Sequence, residues 1–183
     1  MIRLALTAAA AYLLAPKVTG RKLTLRRPKR TLPKRGPVNG LVVRDLEAGD
    51  FHKGFLDLLA QLTDVGQVTE ETFKKRLKEI NRRHGHHVYV IEDVETGRLV
   101  ATAAVMTEQK FIHSCGQVAH VEDVVVDASV RGKGLGRLLV NRSLDIAKFE
   151  GCYKLILDCS NDNVAFYQKC GLEAKERQMV KYL

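Results

Sequence analysis

Val121-Glu-Asp-Val-Val-Val-Asp-Ala-Ser-Val-Arg-Gly-Lys-Gly-Leu-Gly-Arg-Leu-Leu-Val140 is the stretch that decides the fold of this chain. Val124-Val125-Val126 reads as the end of a strand, and Leu135, Leu138, Leu139 and Ile146 recur at helical spacing. Between them, Gly132, Gly134 and Gly136 keep the backbone free of Cβ atoms where the helix begins. The unpaired N–H groups and positive end of such a helix suit a phosphate or pyrophosphate. Arg131, Lys133 and Arg137 add side-chain charge at the same place. Two other glycine loops are excluded by spacing. A Walker loop needs a lysine followed by Ser or Thr after its last glycine, and a dinucleotide fingerprint needs G-x-G-x-x-G with an acid downstream. Here the order is G-x-G-x-G.

Around this stretch, Leu41–Leu46 reads as a first strand, and Asp50 as the cap of a helix over Phe51, Phe55, Leu58, Leu59 and Leu62. Thr69 opens a second helix reaching about Arg83, with a basic outer face. Val88–Ile91 and Leu99–Met106 flank Glu95-Thr-Gly97 as a hairpin, and Val118–Asp127 is a third long strand. Lys133–Glu150 is a helix stopped by Gly151. Tyr153–Cys159 is a strand, Val164–Lys169 a short helix, and Gln178–Tyr182 a last strand. This order predicts an α+β domain with a mixed sheet between helical layers.

The net charge of +9 is unevenly placed: eleven basic residues and no acid fall within the first 44 positions, so the rest is close to neutral. Nothing there asks for nucleic acid. We divide the chain into a basic N-terminal extension, 1–40, and a domain, 41–183. The extension's apolar stretch Leu4–Ala15 is shorter than the roughly 20 residues a membrane helix needs, and a basic run, Lys17–Arg35, follows it. Two readings stay open: a targeting segment for an organelle or endomembrane surface, or a disordered basic tail near anionic membranes. The domain itself is expected in the cytoplasm. Cys115, Cys152, Cys159 and Cys170 lack metal-ligand spacing, as do the histidines, so buried free thiols and no metal are expected.

Several carboxylates stand out. Asp158 ends the apolar run Leu155-Ile-Leu157, at the carboxyl end of a parallel strand where open sheets bind ligands. It reads either as a site acid or as the N-cap of the following helix. Glu122 and Asp123 adjoin each other within a strand, where alternation sends them to opposite faces unless the strand is bulged.

Arg131-Gly-Lys-Gly134-Leu-Gly136 resembles the acyl-CoA pyrophosphate loop of the GNAT acetyltransferases. His120-Val-Glu-Asp-Val124, Gly151–Cys159, Asn163–Gly171 and Leu59–Gly66 extend the resemblance to the glucosamine 6-phosphate N-acetyltransferase branch of that superfamily. The resemblance implies the GNAT (acyl-CoA N-acyltransferase) fold, a mixed, mostly antiparallel sheet flanked by helices. It also implies acetyl-CoA as co-substrate and direct transfer of acetyl to the amine of a sugar phosphate, a step toward UDP-N-acetylglucosamine. Asp158 and Glu122 would handle the amine, and Tyr167 would stabilise the CoA thiolate; the plainer reading of Tyr167 is packing beside Phe166. Val124, Val125, Val126, Arg131, Gly132, Lys133, Gly134, Leu135, Gly136 and Asn163 would hold the cofactor. Thr63, Lys110, Phe111, Ile112, His113 and Asp123, with Glu122 and Asp158, would hold the sugar phosphate. The family resemblance further implies a homodimer that exchanges its last strand, carrying Arg177 or Lys181 to the partner's site. The charged stretch Ala174–Arg177 departs from the family's usual wording there. A peptide acetyltransferase of the same fold and a non-catalytic acyl-CoA-binding module are the alternatives. Cys159 adjoins Asp158, but no histidine accompanies it to make an acyl carrier.

Overall fold

Apolar residues on both faces of successive strands build a six-stranded sheet in the computed structural model, which describes residues 35–183. The strands are β1 (Arg35–Val38), β2 (Leu41–Asp45), β3 (His86–Asp93), β4 (Leu99–Gln109), β5 (Gln117–Val126) and β6 (Lys154–Leu157). They lie side by side in chain order. Every neighbouring pair is antiparallel except β5 and β6, which run parallel because a helix connects them. Strand β1 pairs with β2 and draws residues 35–38, assigned above to the extension, into the sheet. The expectations for Leu4–Ala15 and for the basic run up to residue 34 lie outside the described residues.

Helices α1 (Phe55–Leu59) and α2 (Glu70–Arg82) cover one face. There Phe55, Leu58, Phe73 and Leu77 pack on Leu46, Val90, Leu99 and Val125. Helix α4 (Leu135–Glu150) covers the other, with Leu135, Leu139 and Ile146 against Tyr89, Ile91, Ala119 and Val121. Tyr89, fully buried, donates its hydroxyl to the Leu139 carbonyl at 2.9 Å and also bonds Ser143. Helix α5 (Asn161–Lys169) rests on the start of α4, where a Cβ on Gly136 would come within 2.9 Å of the Phe166 ring. A single turn, α3 (Ile112–Cys115), with left-handed His113 and Ser114, links β4 to β5.

Four local expectations are corrected. Asp50 does not begin a helix: Glu47 is the N-cap of a 3-10 turn over Ala48–Lys53, and left-handed Gly54 separates that turn from α1. Asp50 is buried instead as the partner of Arg44. The guanidinium donates to both carboxylate oxygens at 2.7 Å and to Glu92 at 2.7 Å, with relative exposures of 6% for Arg44 and 1% for Asp50. The paired carboxylates hold the Arg44 guanidinium protonated well above its ordinary range, against the opposing effect of burial. Second, Leu62 lies beyond α1 and is half exposed. Third, none of the four free cysteines is buried; Cys115 sits in the exposed turn and Cys159 just past the open end of β6. Fourth, Gln178–Tyr182 forms no strand, because a strand needs a ladder and residues 172–183 pair with none.

Asp50→Ala would cost the buried Arg44 guanidinium two charged hydrogen bonds and leave Glu92 as its remaining ionic partner. We expect a loss of about 3–5 kcal/mol of stability, seen as a lower denaturation midpoint at unchanged slope in guanidinium unfolding.

Candidate active site

The site begins where β5 and β6 part. Their parallel register runs Val118–Lys154, Ala119–Leu155, His120–Ile156, Val121–Leu157 and then stops. The next residues on the two strands are Glu122 and Asp158. On the other side, β4 stays paired with β5, but the register slips: Ala104 faces Glu122 and Thr102 faces Val125, leaving Ala103 opposite both Asp123 and Val124. This is a β-bulge, and Asp123 carries it at φ 51, a left-handed conformation that Asp tolerates better than most residues. The slip reverses the faces. Val121 points into the core under α4, whereas Val125, four residues on, points into the core under α1 and α2.

The bulge also answers the question about the adjacent acids. Glu122 and Asp123 both line a cavity of about 570 Å³ between α2 and the sheet, with Phe73, Leu77, Ile80 and Met106 among its walls. Burial pushes the Glu122 carboxyl above its ordinary value, and the charges of Asp123 and Asp158 push it the same way; His120 opposes them weakly. Asp158 is exposed and accepts a hydrogen bond from Gln178 Nε2 at 2.9 Å. It does not cap α5; that position belongs to Ser160.

The glycine loop sits at the same end of the sheet. Asp127 closes β5 by accepting from the Ser129 N–H and from Gln61 Nε2, each at 2.9 Å, and Gln61 Oε1 takes the Ala128 N–H at 2.9 Å. These bonds tie the segment after α1, which carries Thr63, to the loop. Arg131 Nε donates back to the Val126 carbonyl at 3.1 Å. Gly132 and Gly134 both have φ 82, with no atom within 4 Å of where a Cβ would stand. No side chain caps α4 at Gly134. An open cradle of glycines leading to an uncapped helix start fits a phosphate-bearing ligand.

Tyr167 stands on α5, half-buried and edge-on to Phe166. Burial, then Cys159 and Cys170, push its phenol up, so it remains a proton donor at neutral pH. Asn163, in the first turn of α5, bonds Ser160 at 3.2 Å.

The remaining expected contacts divide. Lys110 joins a polar row on the α2 side of the sheet: its ammonium pairs with Glu108, whose other oxygen takes His120 Nε2 at 2.9 Å. Sequence reading passed over Glu108 and His120, although His120 shares the Glu122 face by alternation. His113 does not join the row; its ring stacks on Tyr153 at 4.2 Å, at the far end of β6. Phe111 and Ile112 are exposed, Phe111 by 96%, and neither lines the cavity that holds Glu122 and Asp123. Among the described residues no cluster of three or more ligating side chains is placed to hold a metal.

Comparison with known proteins shows the family and the fold. The model of the acetyltransferase (GNAT) family matches residues 52–172. Glucosamine 6-phosphate N-acetyltransferase of Arabidopsis thaliana is 50% identical over 142 residues, covering 76% of this chain and 95% of that protein. The enzyme of that name from Dictyostelium discoideum is 39% identical over 79% of this chain and 92% of its own length. The crystal structure of the Arabidopsis enzyme superposes with a TM-score of 0.76 at 48% identity, covering 78% of this chain and 97% of that one.

Asp158→Asn should lower the Glu122 carboxyl pKa without returning it to the ordinary value, since burial is the first cause of its elevation. Carboxyl-carbon NMR titration checks this; an unmoved Glu122 would mean that the two acids do not share one site.

Proposed function

Because the chain belongs to the acetyltransferase (GNAT) family, we propose that it transfers acetyl from acetyl-CoA to the amine of D-glucosamine 6-phosphate. The product is N-acetyl-D-glucosamine 6-phosphate, which feeds UDP-N-acetylglucosamine synthesis. The observation that carries the reading is the parting of β5 and β6 at Val121–Leu157, which sets Glu122 and Asp158 across an open gap beside the glycine loop.

The roles follow from the chemistry. Amide formation from a thioester needs a neutral amine, donors for the oxygen that becomes negative, and a proton for the departing thiolate. Glycines 132, 134 and 136 and the start of α4 receive the pyrophosphate, with Arg131 and Lys133 alongside. The pantetheine arm lies in the gap, against backbone groups of Val124–Val126 that β6 no longer pairs. Glu122, with its raised pKa, is the base for the ammonium proton, and Asp158 orients the amine. The amine nitrogen attacks the thioester carbon, whose oxygen is met by the Val124 N–H. The C–S bond breaks, the thiolate takes a proton from Tyr167, and the second proton that the nitrogen sheds as it becomes an amide restores the phenol. Transfer is direct: Cys159 is exposed, with no imidazole bonded to it to make it a nucleophile.

Lys110 supports a phosphate contact, at the far end of the polar row from Glu122. Phe111, Ile112 and the tail support a second copy. Met179 and Tyr182 are about nine-tenths exposed, and β6 is an edge strand with β5 as its partner. We read the protein as a homodimer in which the tail, with Arg177 and Lys181, completes the partner's sheet and site.

A thiol-release assay with acetyl-CoA should show turnover on glucosamine 6-phosphate and little on glucosamine or a lysine peptide. Turnover on the peptide alone would overturn the substrate; binding without turnover would indicate an acyl-CoA sensor. Asp158→Ala should lower kcat by about a hundredfold, the cost of a misplaced amine. Deleting residues 178–183 should leave a monomer by light scattering; a persistent dimer would overturn the exchange.

A further inference from the structure

His120 is the titratable group that this mechanism leaves unused, and its surroundings give it a task. It lies two residues before Glu122, ahead of the bulge, so both side chains leave β5 on the same face. Across the sheet its register neighbours are Met106 on β4 and Ile156 on β6. Its Nε2 is turned to Glu108 Oε2 at 2.9 Å, and the other Glu108 oxygen is occupied by Lys110. The charged and titratable groups around it are Glu108 on β4 and Lys110 just past its end, Glu122 and Asp123 on β5, Asp158 beyond β6, and His86 on β3 opposite Met106. A carboxylate at Nε2 favours the tautomer that carries its proton there, leaving Nδ1 as the acceptor. The side chain is 32% exposed, so the ring joins the closed end of the row to solvent.

We propose that His120, steered by Glu108, takes from Glu122 the proton released by the sugar amine and passes it to water. The inference rests on the acetyl transfer proposed above. The proton balance is simple. The ammonium gives one proton to the Glu122 carboxylate. The resulting acid gives it to His120 Nδ1, and the imidazolium, flanked by Glu108, returns to neutral by releasing it to solvent. Glu122 is then ready for the next amine, even with both substrates filling the gap. His120 is thus a positioning and proton-handling residue acting through Glu122.

The test compares the full-length wild type, His120→Gln and Glu108→Gln in steady-state assays across neutral pH. Glutamine keeps an N–H for Glu108 but has no titration near neutrality. The expected result for His120→Gln is a kcat lowered about tenfold or more, Michaelis constants within about twofold of wild type, and recovery of kcat on adding imidazole. Glu108→Gln should give a smaller loss, because the ring keeps its place while the carboxylate that steers its tautomer is gone. Unchanged kcat in His120→Gln, or a loss that imidazole does not relieve, overturns the proposal and leaves the acetyltransferase reading intact. A wild type inert toward glucosamine 6-phosphate overturns both.

Discussion

The end of pairing between β5 and β6 is the constraint on which the rest of the site depends. A parallel ladder that continued past Val121 and Leu157 would bury its backbone groups in hydrogen bonds and bring the strands to their usual spacing of about 4.8 Å. The extra residue at Asp123 prevents that. It turns β5 while β4 keeps hold of it through Thr102–Val125 and Ala101–Val126, so the strand bends without leaving the sheet. One local irregularity therefore opens the gap, sends Glu122 and Asp123 to the same cavity and reverses the core face that Val125 serves.

Such a site gathers like charges, and that has a cost. Glu122 is held near Asp123 and Asp158 in a partly desolvated place, where burial and those two charges disfavour its ionisation. The surrounding scaffold has to be rigid to hold them. Tyr89 ties β3 to α4, and the Arg44–Asp50–Glu92 group ties β2 and β3 to the turn that leads into α1. Gln61 then links the segment after α1 to the start of the glycine loop. The same device recurs: a polar side chain with two partners ties one segment of the chain to another. His87 with Glu150 at 2.7 Å does so at the end of α4.

The C-terminal segment is organised differently. Gln178 reaches Asp158, but Met179, Val180, Tyr182 and Leu183 leave apolar surface in solvent. Phe111 and Ile112 do the same after β4. Large exposed apolar side chains in two segments, next to the open edge of β6, are what an exchanged strand in a dimer would cover.

Much was legible in advance because it depends on local periodicity. The helix from Leu135, stopped by left-handed Gly151, follows from apolar spacing and glycine placement, and so do α2 behind its Thr69 cap and the β3–β4 hairpin. The cofactor-like loop was legible for the same reason: its glycines and its strand and helix are contiguous. What local rules could not supply were relations between segments distant in the chain. Asp50 looks like a cap until Arg44 is seen beside it, and Gln178–Tyr182 alternates like a strand but has no ladder to join. Alternation alone would have separated Glu122 from Asp123; a bulge is set by how β4 pairs with β5, and it reunites them. The chain's own order of residues thus determined the family, the loop and the candidate acids. Tertiary structure decided which of those acids meet, because burial, register and charge proximity are properties of packed strands and not of any one stretch of sequence.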